Sequence, residues 1–557
     1  MTENIFVDKD GTEYKELKLQ ELNTQYEGKK TLMKLITTGS SEIEHYSTFI
    51  VTSCPKCHDE QQVSIEDFPN WRDMKPVTKC DHCALPMYEK QNNKSELRKI
   101  LLSEQGVTNP IHITGYVYGD DVHRVNPGIK MNVMGTLRSL KRRPNDLTYM
   151  RIYDINRLTL SDDKPILPTS DEMEYFKGMD KSLLVQSFAP HIRNMNLIKE
   201  GLLLCCIGGV ETSDSRGDIN ALLLGDPGVA KTQLLKFITH IIPKSDYASG
   251  KSASGAGLFG GVDNLADGTR IGKPGTVVMC NGGVACIDEM EKMNANDRTY
   301  AHEVMESQTF SLRKIGIPIT WEVKVSIIGA ANPKKSRWNP ELSIKENVNM
   351  PDSLLSRFGL IFLIRDIPNK TEDLAIAEHI MRARRGQLEK PLQPEMLTKF
   401  INYAKTFKPV INSDAESLLV NWWTELRDEK QKEESISVDI RTYEDLCRLT
   451  EAYARLDLVE EANITHAKKA IKMLNDSLHT LGMNTPGEKN ASINEHFDKK
   501  GYISFVFSHP INRAMAVAKL CEKYKWFPTE SSAEREIEKL IAWGNITESG
   551  GVLEWVS

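Results

Sequence analysis

The sequence predicts a multidomain chain in which a β-rich N-terminal module precedes an α/β core, a parallel sheet flanked by helices, with a helical segment and a small C-terminal module after it. Three observations lead to this fold class. Apolar and polar residues alternate with period two in several runs between residues 30 and 165. A strand, a glycine-rich turn and a helix follow one another from Leu222 to Ile242, and the pattern turns helical after Asn369.

With 557 residues and an apolar fraction of 40%, the chain is too long for one small module and too apolar for a disordered one. At roughly 150 residues per domain, about three or four domains are expected. No stretch approaches the roughly 18 consecutive apolar residues of a spanning helix. The richest, Leu202 to Val210, contains two glycines, so no membrane partner is expected. The N-terminus, MTENIFVDKDGTEYKEL, is polar and acidic where a secretory signal would be basic and then apolar, which points to an intracellular protein. Lys+Arg number 71 against 77 Asp+Glu, a net charge of −6, so contact with nucleic acid should be local. One patch qualifies: from Asp120 to Leu160 eight Lys/Arg face four Asp.

The runs KKTLMKLITT, HYSTFIVTS, NPIHITGYVYG, NPGIKMNVMGTLRSL and LTYMRIYDINRLTL read as short strands of an all-β module over residues 1–165. Inside it, at 50–90, Cys54-x2-Cys57 and Cys80-x2-Cys83 are separated by 22 residues and supply four thiolates for tetrahedral Zn²⁺ in a closed, structural site. Four reduced buried thiols are the alternative. His58 and His82 adjoin these cysteines, but an all-cysteine shell needs no further ligand. The other six cysteines lie in apolar or helical surroundings. A polar, Pro-containing stretch, Ser161 to Glu172, marks the main boundary, and residues 166–180 are expected to be a linker.

In the core, residues 181–369, the apolar strand end Leu222-Leu223-Leu224 leads into Gly225-Asp226-Pro227-Gly228-Val229-Ala230-Lys231-Thr232 and then a helical run. Backbone N–H groups of such a loop and the helix N-terminus can cradle the phosphates of a nucleoside triphosphate. Lys231 would reach the β- and γ-phosphates of ATP and the Thr232 hydroxyl would ligate Mg²⁺. Ala230 stands where the generic pattern has Gly, and alone the loop could be an ordinary glycine turn. Downstream, the strand VACI ends at Asp288-Glu289, where Asp288 would hold the Mg²⁺ shell and Glu289 polarise the attacking water. Asn332 ends the strand VSIIGAA and can orient that water, and Arg357 can stabilise charge on the transferring phosphoryl group. After Asn369 a helical lid or bundle is expected over 370–485. Following the break MNTPGEKN, residues 495–557 suggest a winged helix that ends in the two-strand ribbon GNITESGGVLEWV.

Taken in order, GDPGVAKT, IDEMEKM, VMESQTFSLRKIGI, GAANP, PDSLLSRFGLIF and RTYEDLCRLTEAYARL resemble the minichromosome maintenance (MCM) family of replicative helicases, a subgroup of AAA+ ATPases. SFAPHI and GLLLCCIGGV extend the likeness, which spans about residues 30 to 485. Ala before Lys is characteristic of that family, whereas Gly359 stands where it usually has Asp. The resemblance implies a homohexameric ring acting on single- and double-stranded DNA, with replication loading factors as possible partners; the short length without long disordered tails fits an archaeal-type, cytoplasmic protein better than a nuclear one. It implies active sites between subunits: Lys231, Thr232, Asp288, Glu289 and Asn332 from one chain, Arg357 and Arg441 from its neighbour.

For DNA, the resemblance implies a pre-sensor hairpin over Thr309 to Lys324, with Lys314 as its basic tip residue and Arg313 an extra charge beside it. A second hairpin, inserted in helix two, is implied between Ala253 and Val278. The β module looks like the family's OB-fold, with Lys141, Arg142 and Arg143 at or near the tip of an N-terminal hairpin. Only some 30 residues precede the first OB-like strand, so most of the family's N-terminal helical domain is expected to be missing. The function so implied is ATP-dependent unwinding of duplex DNA; a DNA-binding ring that loads or remodels without unwinding, and a protein remodeller, are the rivals.

Overall fold

The computed structural model describes residues 5–7, 13–67, 72, 74–104, 111–141, 149–160, 165–251, 255–265, 268–314, 317–335, 337–339, 342, 344–388, 391–430 and 439–481. In the last segment it describes 511–513, 516–517, 520, 530–542, 546–549 and 552–555. The chain divides into two compact units, Met1–Met483 and Asn484–Ser557.

The N-terminal module is built from β1 (Lys30–Ser53), β2 (Glu60–Ser64), β3 (Tyr88–Glu104), β4 (His112–Tyr118), β5 (Lys130–Lys141) and β6 (Tyr149–Leu160). Five of them close on themselves in the order β1-β3-β4-β6-β5-β1, with β4 and β6 parallel and the other pairs antiparallel. Closure removes exposed edges, and a five-stranded barrel of this order fits an OB-fold. Met33, Leu35, Ile100, Leu102, Met131, Val133 and Tyr153 fill its interior. Two runs expected as separate strands, KKTLMKLITT and HYSTFIVTS, are one 24-residue strand. Register shifts against β3 between Thr37 and Gly39, Ser40 and Ile43, and Ser47 and Phe49 let β1 bend while staying paired, so GSSEIE interrupts the apolar pattern without ending the strand.

The stretch 166–180, expected as a linker, instead carries α1 (Ser170–Gly178). Its start is a capping box: the Thr169 hydroxyl accepts from the Glu172 amide, and Glu172 Oε2 accepts from the Thr169 amide at 2.8 Å. Phe176 is fully buried edge-on against Phe400, which joins α1 to the body that follows.

That body is a five-stranded parallel sheet. Helix α2 (Asn196–Ile207) leads to β7 (Ala221–Gly225), α3 (Lys231–Ile241) and β8 (Ser245–Ser249). A hairpin, β9 (Gly260–Asn264) and β10 (Arg270–Pro274), precedes β11 (Val284–Asp288) and α4 (Ala295–Ser307). A second hairpin, β12 (Thr309–Lys314) and β13 (Ile317–Glu322), precedes β14 (Ser326–Ala331) and β15 (Leu360–Ile364). The sheet order is β8-β11-β14-β7-β15; β11, β14, β7 and β15 are buried along their whole length, as expected of a sheet covered on both faces, while in the edge strand β8 only Ala248 is buried.

Four helices, α6 (Pro394–Ala404), α7 (Ser413–Lys430), α8 (Ile440–Leu456) and α9 (Ile464–Thr480), follow α5 (Lys370–Arg384). Helix α9 covers the edge strand β15. Ser477 Oγ donates to Ile361 O at 2.8 Å, and Thr480 Oγ1 accepts from Leu363 N at 2.9 Å, occupying ladder groups that would otherwise face water.

The hairpin β9–β10 joins the N-terminal sheet: Gly272 pairs with Ser40 of β1, and Lys99 Nζ donates to Thr269 Oγ1 at 2.7 Å. In the second unit, a helix at Glu530–Ala542 accompanies a three-stranded antiparallel sheet whose central strand is Val552–Trp555. The expected terminal ribbon is present there as Ile546–Ser549 paired with Val552–Trp555. Among the described residues no helix is long and apolar enough to cross a membrane.

Gly359 owes its identity to space. A Cβ there would lie 2.8 Å from Cγ of Asp445, a buried residue of α8 whose Oδ1 meets Arg448 Nη1 at 2.5 Å. The carboxylate absent at position 359 is thus matched by one arriving from the lid. Gly359→Ala should cost about 1–3 kcal/mol of stability and Gly359→Asp more, because a second carboxylate would be forced against the first. Adding Asp445→Gly to Gly359→Asp should recover part of the loss. Thermal denaturation of the three variants checks this ordering.

Candidate nucleotide site

The loop after β7 turns on Gly225, where a Cβ would meet Ile364 O at 2.0 Å, so only glycine lets the loop pass the neighbouring strand. Ala230 takes the left-handed conformation, φ 63°, at the N-cap of α3. This explains both why the generic loop places Gly there and why the chain stores strain on using Ala. Beyond it the first amides of α3 point outward as phosphate donors. Lys231 is buried, with Nζ donating to the Gly225 and Asp226 carbonyls at 2.7 Å. Burial pushes its pKa down, while Asp288, Glu291 and Asp226 hold it up. The Asp226 side chain serves the scaffold: it accepts from Trp338 N at 2.8 Å and Asp366 N at 3.0 Å, pinning the loop to the chain after β14 and β15. Pro227, Gly228 and Val229 complete the turn, with Gly228 at φ 92°.

Parallel register brings the remaining groups to the same edge, since β7, β11 and β14 all end there. Thr232 Oγ1 donates to Asp288 Oδ2 at 2.6 Å, joining the two residues expected to share Mg²⁺. Tyr247 OH donates to the same oxygen at 3.0 Å; burial and then the Asp288 charge push this phenol up to about 12. Glu289 is left-handed, φ 52°, another strained residue at the site. Its carboxylate meets Lys292 and accepts from Ser249 Oγ at 3.1 Å, and these donors hold it below the usual carboxylate range. Asn332 donates from Nδ2 to Glu291 Oε1 at 3.1 Å, while Glu291 Oε2 is buried without a partner. Reading the sequence missed Tyr247, Ser249 and Glu291. Only the third carried a signal, as a third acid in IDEME.

Arg357 and Arg441 lie elsewhere. Residues Ala221 to Gly225 pair in parallel with Leu360 to Ile364, so the phosphate loop follows one end of β7 while Arg357 precedes the other end of β15. Its carbonyl accepts from Asn220 Nδ2 at 3.3 Å, fixing it at the N-terminal edge of the sheet. A strand of this length separates the two edges by on the order of 13 Å. Arg357 and Arg441 instead meet each other across a cleft of about 880 Å³, also lined by Arg216, Glu306, Gln308 and Asp439.

In the N-terminal module the four sulfurs of Cys54, Cys57, Cys80 and Cys83 lie within 4.8 Å of one another. Two matching turns hold them: Cys54 O accepts from His58 N and Cys80 O from Ala84 N, with His58 and Ala84 both left-handed. Backbone donors at Cys57 and Lys56 draw the Cys54 thiol down to about 7. Four converging sulfurs fit a tetrahedral thiolate ion such as Zn²⁺. His82 turns its Nε2 toward Asp59, 4.0 Å away.

Of the expected DNA contacts, Arg313 and Lys314 close β12 opposite Pro318 and Ile317, at the end of the hairpin next to its tip. Lys141 ends β5 opposite Tyr149, so residues 142–148 connect the two strands. Arg142 and Arg143 lie outside the described residues.

A phosphate-cradling loop, a carboxylate pair and an amide on the carboxyl edge of this sheet, with a helical lid, define a P-loop ATPase of the AAA+ class. Comparison with known families places it further. Residues 172–384 match the MCM P-loop domain and residues 395–478 the MCM AAA-lid domain. The chain is 29% identical to the DNA replication licensing factor mcm7-A of Xenopus laevis, over 93% of its own length and 77% of the relative's. With mcm7 of Schizosaccharomyces pombe it shares 30% identity over 84% of this chain and 66% of that one. With the minichromosome maintenance protein MCM of Saccharolobus solfataricus it shares 33% over 66% and 57%. The chain belongs to the MCM family.

Because Tyr247 steadies the oxygen of Asp288 that Thr232 also touches, Tyr247→Phe should weaken the apparent affinity for Mg²⁺ by about tenfold, the scale of losing a group that orients a metal ligand. Hydrolysis assayed across a Mg²⁺ series checks this; an unchanged requirement would remove Tyr247 from the site.

Proposed function

We propose that the protein is an ATP-dependent DNA helicase, a ring of identical chains, hexameric as in the sequence-based expectation, that hydrolyses ATP between subunits and unwinds duplex DNA for replication. The observation that carries this is the placement of Arg357 and Arg441 at the sheet edge opposite the phosphate loop. Neither can serve the triphosphate of its own chain, whereas a neighbour turning its carboxyl edge toward the cleft would complete the site. Lys231 and the α3 amides would bind the phosphates, Thr232 and Asp288 would hold Mg²⁺, Glu289 would take up the proton of the attacking water, and Asn332 would orient it. The incoming arginines would neutralise charge on the transferring group, worth roughly 10³ to 10⁵ in rate. Hydrolysis would then depend on the subunit interface, and so couple to subunit motion.

DNA contact is assigned to Arg313 and Lys314 on the β12–β13 hairpin and to Lys141, Arg142 and Arg143 between β5 and β6. The names of the relatives, replication licensing factors among them, support a replicative role. The four-cysteine cluster is assigned to Zn²⁺, which would fix β1 and β3 where they run on to the two knuckles.

Two tests follow. Lys231→Ala, Glu289→Gln and Arg357→Ala chains should each lose hydrolysis and displacement of a strand from a forked duplex. Mixing Glu289→Gln with Arg357→Ala chains should restore both activities, since some interfaces then hold both intact groups; no recovery at any ratio would count against a shared site. Hydrolysis and its trans recovery without strand displacement would favour the loading ring. Separately, Cys57→Ser should lower the zinc content measured by atomic emission and the melting temperature of the N-terminal module; full zinc content would refute the assignment.

A further inference from the structure

Glu306, near the C-terminal end of α4, receives both arginines. Arg357 Nη2 donates to Glu306 Oε2 at 2.8 Å, and Arg441 Nη2 approaches Glu306 Oε1 at 3.4 Å. The two guanidiniums come from unrelated parts of the chain, the turn before β15 and the first turn of α8, and they repel one another. That repulsion, second to burial, pushes the pKa of Arg357 down. A second contact fixes Arg357: its Nη2 also lies 2.7 Å from His302 Nε2. Burial and the Arg357 charge push the pKa of His302 down, so near neutrality the ring nitrogen is an acceptor. Arg441 is further held by Asp439 Oδ2 at 3.3 Å. The side chain of Arg357 is only 4% exposed, and its Nε and Nη1 are buried with no partner. Buried guanidinium donors without acceptors are costly, and the side chain that carries them lines the cleft.

We propose that Glu306 is a positioning residue for the trans arginine pair: one carboxylate, an oxygen to each cation, holds Arg357 and Arg441 side by side at the cleft and yields the Arg357 guanidinium, whose buried Nε and Nη1 lack acceptors, to oxygens of the neighbouring chain's terminal phosphate as they arrive. The inference rests on the reading that these arginines act across the interface. Glu306 does not touch the phosphate itself. It offsets the repulsion that would otherwise spread the pair, and its half-exposed side chain lets it give way as phosphate oxygens arrive. The consequence is asymmetric: losing Glu306 damages the neighbour's site and leaves the phosphate loop of its own chain intact.

The experiment compares Glu306→Ala, Glu306→Gln and Arg357→Ala, each alone and mixed with Lys231→Ala chains, in the assembled protein with ATP and Mg²⁺. Glu306→Ala should lower kcat roughly tenfold, the scale of losing a charge-assisted hydrogen bond, with KM for ATP nearly unchanged. Glu306→Gln, which keeps one acceptor, should lose less, and Glu306→Ala combined with Arg357→Ala should be no worse than Arg357→Ala alone. Mixing Glu306→Ala with Lys231→Ala chains should recover activity, because the second chain donates an intact pair to the first chain's intact loop. Wild-type kcat in both Glu306 variants would overturn the proposal. So would a loss that mixing fails to repair while Arg357→Ala with Lys231→Ala is repaired. If neither mixture recovers, the trans reading fails and the role of Glu306 falls with it.

Discussion

The parallel pairing of Ala221–Gly225 with Leu360–Ile364 is the constraint on which the rest depends. Parallel strands all present their carboxyl ends at one edge, so the phosphate loop, Asp288 and Asn332 gather there without special provision. The same rule carries whatever precedes β15 to the opposite edge. Asn220 makes that arrangement rigid: its amide donates to Arg357 O at 3.3 Å and its oxygen accepts from Ile327 N at 2.8 Å, tying three neighbouring chain segments together where the strands begin. One sheet therefore separates the phosphate loop from Arg357 by the length of its strands.

Charge is managed differently at the two edges. At the carboxyl edge, Asp226, Asp288 and Glu291 lie around Lys231, a site suited to a divalent cation and to a polyanion held mainly by backbone amides. At the opposite edge, Arg216, Arg357, Arg441 and Arg448 share the cleft with Glu306, Asp439 and Glu444; Arg441 and Arg448 bond to these acids, whereas Arg216 Nη1 and the Nε and Nη1 of Arg357 are buried without an acceptor. Buried ion pairs of this kind contribute little net stability but fix orientation. Arg448 illustrates it, bonding Asp445, Glu444 and the Arg216 carbonyl at once and so locking α8 against the chain before β7.

How legible each feature was depended on how local its cause is. The phosphate loop reads directly from Gly225 to Thr232 because strand, turn and helix adjoin in the chain. Asp288, Glu289 and Asn332 follow strand ends and share that advantage. Tyr247 and Glu306 do not: one sits in a short strand and the other near a helix end, and only the sheet order and the return of α8 bring them to their partners. The strand Tyr88–Glu104 is absent from the runs that read as strands: it opens on YEKQNNKSE, polar on both faces where it extends past the barrel, so alternation gives no sign of where it starts. The Pro- and Asp-rich surroundings of helix α1 suggest a linker, whereas the T-x-x-E box at Thr169 is the local signal for its start. The closed barrel order is a long-range property that period-two patterning cannot supply.

The hairpin β9–β10 joins the N-terminal barrel to the ATPase body. Among the described residues, the register pair of Gly272 with Ser40 and the bond from Lys99 to Thr269 contribute polar contacts there. Such bonds contribute about 0.5–1.5 kcal/mol each, whereas every fully buried Leu or Phe in the cores on either side contributes about 1.5–3 kcal/mol. Close approach rather than bonding sets the fit: a Cβ on Gly39 would lie 3.0 Å from Gly272 O. The side chain of buried Ile271 closes the same junction, its Cδ1 lying 3.0 Å from where a Cβ on Gly39 would be, so packing as well as bonding holds the hairpin on β1.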